Sequence, residues 1–227
     1  MKTLERKLKI DPKRKTTSLW AVPEDYDRQL AVILAHGAGS DMHHPFLSFV
    51  QESLAERGVL TVKFNFPYKE EGRKAPDRML VLLATWKAVV DAVRNDPDLA
   101  PQRIFLAGKS MGGRAASMLA AEGEACAGLI FLGYPLHPPD KPDKPRTEHL
   151  PRINCSMLFI QGTRDRLCDL ERLRPVLDTL SVPVDLHVIE GGDHSFKVLK
   201  RLGRSEGDVW KEIVEATADW INALPKD

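Results

Sequence analysis

The chain has 227 residues, of which 43% are hydrophobic and 29% are charged, and its 33 basic and 32 acidic side chains leave a formal net charge of +1. These values are typical of a globular protein, and the near-neutral charge argues against binding to nucleic acid or to an anionic membrane surface. The length fits one domain over residues 1–227, long enough to bury a sizeable core.

The first segment, MKTLERKLKIDPKRK, is charged throughout and lacks the apolar stretch of a secretory signal, so we expect a first strand with a solvated flank. The longest apolar run, Leu30 to Ala35, is far shorter than a membrane span. These features predict a cytoplasmic protein that does not bind a membrane. Cys126, Cys155 and Cys168 lack metal-ligand spacing, so we expect reduced, partly buried thiols and no metal site.

Short apolar runs alternate with helical patterns along the chain, which predicts an α/β fold with a mostly parallel central sheet and helices on both faces. The predicted strands are Leu30–His36, Val59–Phe66, Arg103–Ala107, Leu129–Gly133, Met157–Gln161 and Val184–Ile189. Helical spacing of apolar residues predicts helices over about Pro45 to Arg57, Asp77 to Arg94 and Val209 to Leu224, with Gly58 ending the first of them.

The most informative segment is RIFLAGKSMGGR, in which a predicted strand runs directly into Gly108-Lys109-Ser110-Met111-Gly112. This is a GxSxG pattern at a strand-to-helix junction. A sharp turn there strains the central serine, and the glycines leave room for the turn. The hydroxyl of Ser110 is then held above the sheet edge, where the N-terminus of the following helix can stabilise an oxyanion. Ser110 is therefore the candidate nucleophile.

The same residues also resemble the end of a phosphate-binding loop, GxxxxGK[ST]. That alternative requires a glycine where Arg103 stands, and a loop where the sequence has the strand-like run Ile-Phe-Leu-Ala. The spacing therefore disfavours nucleotide binding.

The segment HGAGSD follows the strand that begins at Leu30. As a dinucleotide-binding fingerprint it lacks the third glycine, which is Met42 here. As an oxyanion loop it brings a backbone N–H near the substrate carbonyl, and we assign the two donors to the N–H groups of Ala38 and Met111. We expect His36 to brace this loop through hydrogen bonds. Gly37, His43, His44 and His137 are the further candidates for lining the substrate pocket, although a histidine pair just before a helix is typical of a surface turn.

Two later strands end in turns that carry an acid and a base. The turn after MLFIQ ends in Asp165, and the turn after VIEGG ends in Asp193 and His194. We expect Asp165 to orient His194, since a residue adjacent to the histidine points away from it and Asp169 fits the N-cap of the following helix. The chain order Ser110, Asp165, His194 is that of the α/β-hydrolase triad.

The segments AHGAGSDMHHPF, GKSMGGRAA, GYPLHPP, QGTRDRLCD and GGDHSF, spread over nearly the whole chain, resemble the dienelactone-hydrolase-like α/β-hydrolases. The GYPLHPP stretch is similar to a subgroup of small hydrolases related to a testis-expressed protein and to a subunit of a histone acetyltransferase complex. The resemblance implies an α/β-hydrolase fold in which Ser110 is the nucleophile, Asp165 the acid and His194 the base. Because dienelactone hydrolases proper use a cysteine nucleophile, Ser110 argues against their lactone substrate.

The segment Tyr134–Pro151 lies where larger relatives insert a lid, but it is short, rich in proline and charged. We therefore expect no large lid and a preference for short or polar acyl groups. The resulting hypothesis is a serine hydrolase that acts on a small ester or related acyl compound and needs no metal or organic cofactor. The alternative is a non-catalytic scaffold that keeps the fold for binding a protein partner. Thioesterase, amidase and peptidase activities also stay open, because one triad serves all acyl transfers.

Overall fold

The computed structural model describes residues 1–225 and contains an eight-stranded sheet in the order β1-β2-β4-β3-β5-β6-β7-β8. Every strand predicted from the sequence is present, with ends within two residues of the prediction. The strands are β1 Lys2–Lys9, β2 Lys15–Val22, β3 Leu30–Ala35, β4 Leu60–Phe64, β5 Arg103–Lys109, β6 Gly128–Leu132, β7 Ser156–Gly162 and β8 Val184–Ile189.

Strands β3 to β8 run parallel to one another, whereas β1 and β2 form an antiparallel hairpin at one edge. The expected first strand is β1, but β2 was not predicted. This strand carries Trp20 fully buried, and Ser18 in β2 is paired with Phe64 in β4. The hairpin therefore extends the sheet beyond the parallel part.

Helices cover both faces of the sheet, as predicted. They are α1 Pro45–Ala55, α2 Pro67–Glu70, α3 Met79–Arg94, α4 Met111–Ala121, α5 Leu170–Leu177 and α6 Glu206–Ala223. Helices α1 and α6 pack on one face, while α3, α4 and α5 pack on the other. Gly58 follows α1 with φ of +84°, which confirms the left-handed residue expected at the end of this helix.

The sheet order places the functional loops together. The chain leaves β3 to form β4 on one side and later forms β5 on the other, so the carboxyl ends of β3 and β5 flank a crevice. The loop after β3 carries HGAGSD, and β5 leads directly into Ser110. Both segments therefore meet at one edge of the sheet, where open α/β sheets bind ligands.

The connection from β6 to β7 contains the 3₁₀ helix Leu150–Arg152 and otherwise irregular chain, so the described residues include no large lid. None of the helices within residues 1–225 is long and apolar enough to cross a membrane.

Candidate active site

Ser110 lies in the tight turn between β5 and α4, with φ of 50° and ψ of −112°. A positive φ is unfavourable for a residue with a side chain, so the surrounding packing must impose it. A Cβ atom on Gly108 would lie 2.2 Å from the backbone nitrogen of Gly113, and one on Gly112 would lie 2.7 Å from the carbonyl oxygen of His36. Both glycines of the GxSxG pattern are therefore required sterically.

The side chains of Ser110, Asp165 and His194 form a continuous hydrogen-bonded chain. The Oγ atom of Ser110 lies 2.8 Å from Nε2 of His194, and Nδ1 of His194 lies 2.7 Å from Oδ2 of Asp165. Because a carboxylate only accepts, Nδ1 carries the proton, and Nε2 can accept the proton of the Ser110 hydroxyl. The three side chains thus have the geometry needed to activate a serine nucleophile.

Asp165 is held by further hydrogen bonds, and its side chain is 0% exposed. The backbone N–H of Leu167 donates to Oδ1 over 2.8 Å, and Nε2 of Gln161 donates to Oδ2 over 2.6 Å. Gln161 is oriented in turn by the N–H of Tyr134, which donates to its Oε1 over 2.8 Å. The carboxylate is therefore fixed in position relative to the imidazole of His194.

The other two candidate acids have different partners. Oδ1 of Asp169 accepts the N–H of Glu171 over 2.9 Å at the start of α5, as expected of an N-cap. Oδ1 of Asp193 accepts the N–H groups of Ser195 and Lys197 over 2.8 and 2.9 Å, within its own turn. Asp165 is the acid that the structure places against the imidazole.

The loop after β3 is braced by His36, which is completely buried. Its Nδ1 donates to the carbonyl oxygen of Gly37 over 2.8 Å, and its Nε2 accepts the N–H of Phe66 over 3.1 Å. Burial lowers the pKa of His36 to about 4, so the ring is neutral at pH 7 and can both donate and accept. This arrangement agrees with the bracing role expected from the sequence.

The two proposed oxyanion donors lie next to the nucleophile. Met111 is the first residue of α4, so its N–H has no acceptor within the helix. Ala38 is exposed and lines the same pocket as Ser110. Gly37 lies close by, because a Cβ atom on it would be 3.5 Å from Cβ of Ser110. Met111 therefore follows Ser110 directly with an N–H free of the helix, and Ala38 lies in the loop that lines the pocket at Ser110.

A pocket of about 540 Å³ opens beside Ser110 and His194. One wall is apolar and comes from α1 and α6, while the inner side comes from the loop after β3 and from Lys109. The apolar wall is formed by Pro45, Phe46, Leu47 and Trp210. The volume suits a small molecule bound directly against the serine.

Two predicted pocket residues lie elsewhere. His43 is exposed and does not line this pocket. Its N–H donates to Asp41 in a turn that leaves the imidazole in solvent. The neighbouring His44 lines the pocket. His137 is buried, with Nδ1 donating to the carbonyl of Pro138, and lies beside a second cleft behind Asp165. Neither His43 nor His137 therefore belongs to the pocket at Ser110, which corrects the expectation for both.

Sequence reasoning also missed two polar side chains at the site. Gln161 is fully buried near the end of the apolar strand β7. A polar residue within an apolar run indicates a buried hydrogen bond, so the sequence alone could have marked Gln161. Lys109 lines the pocket and donates from Nζ to the carbonyl oxygen of His194 over 2.5 Å. In the sequence, Lys109 stands at a variable position of the GxSxG pattern and in the disfavoured phosphate-binding loop, and neither pattern assigns it a role at the site.

Comparison with solved structures shows extensive similarity in fold. A dienelactone hydrolase from Anabaena variabilis superimposes with a TM-score of 0.80 at 21% identity, covering 99% of each chain. An alpha/beta serine hydrolase without a lid from Xanthomonas campestris gives a TM-score of 0.72 at 22% identity, covering 99% of this chain and 98% of that one.

Two sequence comparisons gave matches, one over about half of this chain and one over most of it. The uncharacterized protein YfhR of Salmonella typhi is 32% identical over 121 residues, which is 51% of this chain but only 39% of that protein. The model of the alpha/beta hydrolase domain family matches residues 28–222. Since this match spans most of the chain, the protein belongs to the alpha/beta hydrolase family.

Proposed function

We propose that the protein is a serine hydrolase that cleaves a small ester or related acyl compound through an acyl-enzyme. The observation that carries this proposal is the hydrogen-bonded chain from Ser110 through His194 to Asp165, with distances of 2.8 and 2.7 Å, at the wall of a pocket. A hydroxyl, a base and an acid in this order provide nucleophilic catalysis of acyl transfer. The serine hydrolase from Xanthomonas with the same fold adds support.

In this mechanism Oγ of Ser110 attacks the carbonyl carbon while Nε2 of His194 takes the hydroxyl proton. The negative charge that develops on the carbonyl oxygen is stabilised by the N–H groups of Ala38 and Met111, each worth about 3–4 kcal/mol at comparable sites. His194 then protonates the leaving group, and the acyl group stays on Ser110. A water molecule, deprotonated by His194, attacks the acyl-enzyme and releases the acid.

Asp165 keeps the proton on Nδ1 of His194 throughout and stabilises the imidazolium that forms transiently. The residues named supply the nucleophile, the proton transfers and the oxyanion donors, so the scheme needs no cofactor. The pocket volume and the short connection between β6 and β7 favour a small acyl substrate.

The test is reaction with an alkyl fluorophosphonate, which phosphonylates an activated serine. The wild-type protein should be labelled stoichiometrically on Ser110, and Ser110→Ala should not be labelled while it keeps the wild-type melting temperature. A panel of esters, thioesters and peptides with matched acyl groups would then identify the scissile bond. A wild-type protein that is neither labelled nor active on this panel would support a non-catalytic scaffold instead.

A further inference from the structure

The side chain of Lys109 crosses the catalytic site between the elements that carry its parts. It begins immediately before Ser110, and its Nζ reaches the backbone carbonyl of His194 at 2.5 Å. Along this path it passes the loop after β3, since a Cβ atom on Gly37 would lie 3.6 Å from Cγ of Lys109. The Lys109 side chain therefore starts at the turn that carries Ser110, runs beside Gly37 of the loop after β3 and ends at the loop that carries His194.

Gly133, whose φ is +74°, lies directly beside Nζ of Lys109. A Cβ atom on Gly133 would lie 2.8 Å from Nζ of Lys109, closer than such atoms approach in proteins. The ring of Phe196 provides another wall, with its centroid 5.1 Å from Nζ. Among the described residues 1–225, the hydrogen-bond acceptor of Nζ is the backbone carbonyl of His194.

From this geometry we infer that Lys109 is a positioning residue, which holds the His194 loop so that the imidazole faces the hydroxyl of Ser110. The inference rests on the proposed function. The loop carrying His194 follows β8, an edge strand, whereas Ser110 follows the central strand β5. A charge-assisted hydrogen bond to its carbonyl fixes the main chain at the histidine itself. A displacement of about 1 Å at such a site can lower turnover about 100-fold.

Burial lowers the pKa of Lys109 to about 8, with Asp165 and Asp193 partly opposing this effect. The pKa of Lys109 in the folded protein thus lies below the unfolded value of about 10.4, so burying the ammonium costs stability at neutral pH, and Lys109→Met removes this cost. Replacing a residue that is needed only for packing would instead lower the stability of the folded protein. This difference in sign separates positioning from a merely structural role.

The first experiment compares Lys109→Met with the wild-type protein at pH 7. We expect kcat for a short ester and the rate of fluorophosphonate labelling to fall about 10- to 100-fold, with KM within about twofold, because the histidine is misplaced while the pocket is kept. The melting temperature should equal or exceed that of the wild type. Unchanged kcat, or a loss of activity accompanied by an equal loss of folded protein, would overturn the inference.

Lys63→Met is the matched control. Lys63 is a buried lysine whose pKa is, like that of Lys109, lowered by burial, and its Nζ donates to Oγ of Ser48 over 2.7 Å. Its replacement should leave kcat within about twofold of the wild type, because Nζ of Lys63 bonds to Ser48 and not to a residue of the triad. An equal loss of kcat in both variants would show that any buried lysine matters, and would overturn a specific role for Lys109.

A second measurement needs no variant and guards against misfolding of Lys109→Met. The ionisable groups that face Lys109 are Asp165 in the loop after β7 and Asp193 and His194 in the loop after β8. The labelling rate of the wild type should fall as pH rises through about 8, because the Lys109 ammonium that bonds to the carbonyl of His194 loses its proton. A rate that stays constant up to pH 10 would contradict the inference. Absence of any labelling of the wild type would instead refute the proposed function.

Discussion

Replacing Asp165 by Asn tests the identity of the catalytic acid, because the structure leaves the amide no satisfactory orientation. Oδ2 accepts hydrogen bonds from His194 and Gln161, and Oδ1 accepts one from the N–H of Leu167. If the amide NH₂ group takes the place of Oδ2, Nδ1 of His194 must become the acceptor. The proton then sits on Nε2, which can no longer take the proton of Ser110.

The opposite orientation of the amide keeps the histidine tautomer but places its NH₂ group against the N–H of Leu167. Two donors then face each other in a setting where the side chain is 0% exposed, at a cost of about 1–3 kcal/mol. Turnover should therefore fall about 10³- to 10⁴-fold, which corresponds to about 4–5.5 kcal/mol of transition-state stabilisation. The free energy of unfolding should fall by no more than a few kcal/mol.

The assay is steady-state hydrolysis of a short activated ester, with urea denaturation of each variant. Asp169→Ala is the control: it removes the cap of α5, so it should cost about 1 kcal/mol of stability and leave kcat nearly unchanged. If Asp165→Asn kept more than a tenth of the wild-type kcat while Asp169→Ala lost activity, the assignment of Asp165 as the acid would be refuted.

Three further predictions concern acid stability, oxidation and substrate size. Burial lowers the pKa of His36 and of His149 to about 4, below the unfolded value of about 6.5. The free energy of unfolding should therefore decrease as the pH falls from 6.5 towards 4, by up to about 3 kcal/mol for each histidine. Urea denaturation at several pH values measures this loss, and a flat profile would contradict it. The Sγ atoms of Cys126 and Cys155 lie 3.4 Å apart, so hydrogen peroxide should convert both thiols to a disulfide with release of two water molecules. Peptide mapping that found both cysteines still reduced would refute this. Among esters with one leaving group, acetyl to butyryl esters should react faster than lauroyl esters, because the segment after β6 has no apolar face to cover a long chain.

Much of the fold was predictable because the inner parallel strands are buried on both faces and therefore appear as short apolar runs, as in β3 and β6. The β2 strand escaped prediction because it mixes lysine, threonine and serine with apolar residues, and its burial depends on pairing with β4. The short helix α2 has no pattern long enough to indicate a helix.

The arrangement of Ser110, Asp165 and His194 was predictable because each follows a parallel strand, and carboxyl ends of parallel strands meet at one sheet edge. Sequence order could not tell which way a loop side chain faces, and the expectations for His43 and His137 failed for this reason. The contact of Lys109 with His194 joins loops that are distant in the sequence, so only the folded arrangement shows it.

The hairpin edge of the sheet has a consequence for how copies of the protein meet. Strand β1 leaves one side of its backbone unpaired, which is the kind of surface onto which another chain can add a strand. The net charge of +1 gives little overall repulsion between molecules. Charge is instead concentrated on this strand, on the exposed side chains of Lys2, Glu5, Lys7 and Lys9. Local charge on β1 thus opposes strand addition and the aggregation that would follow from it.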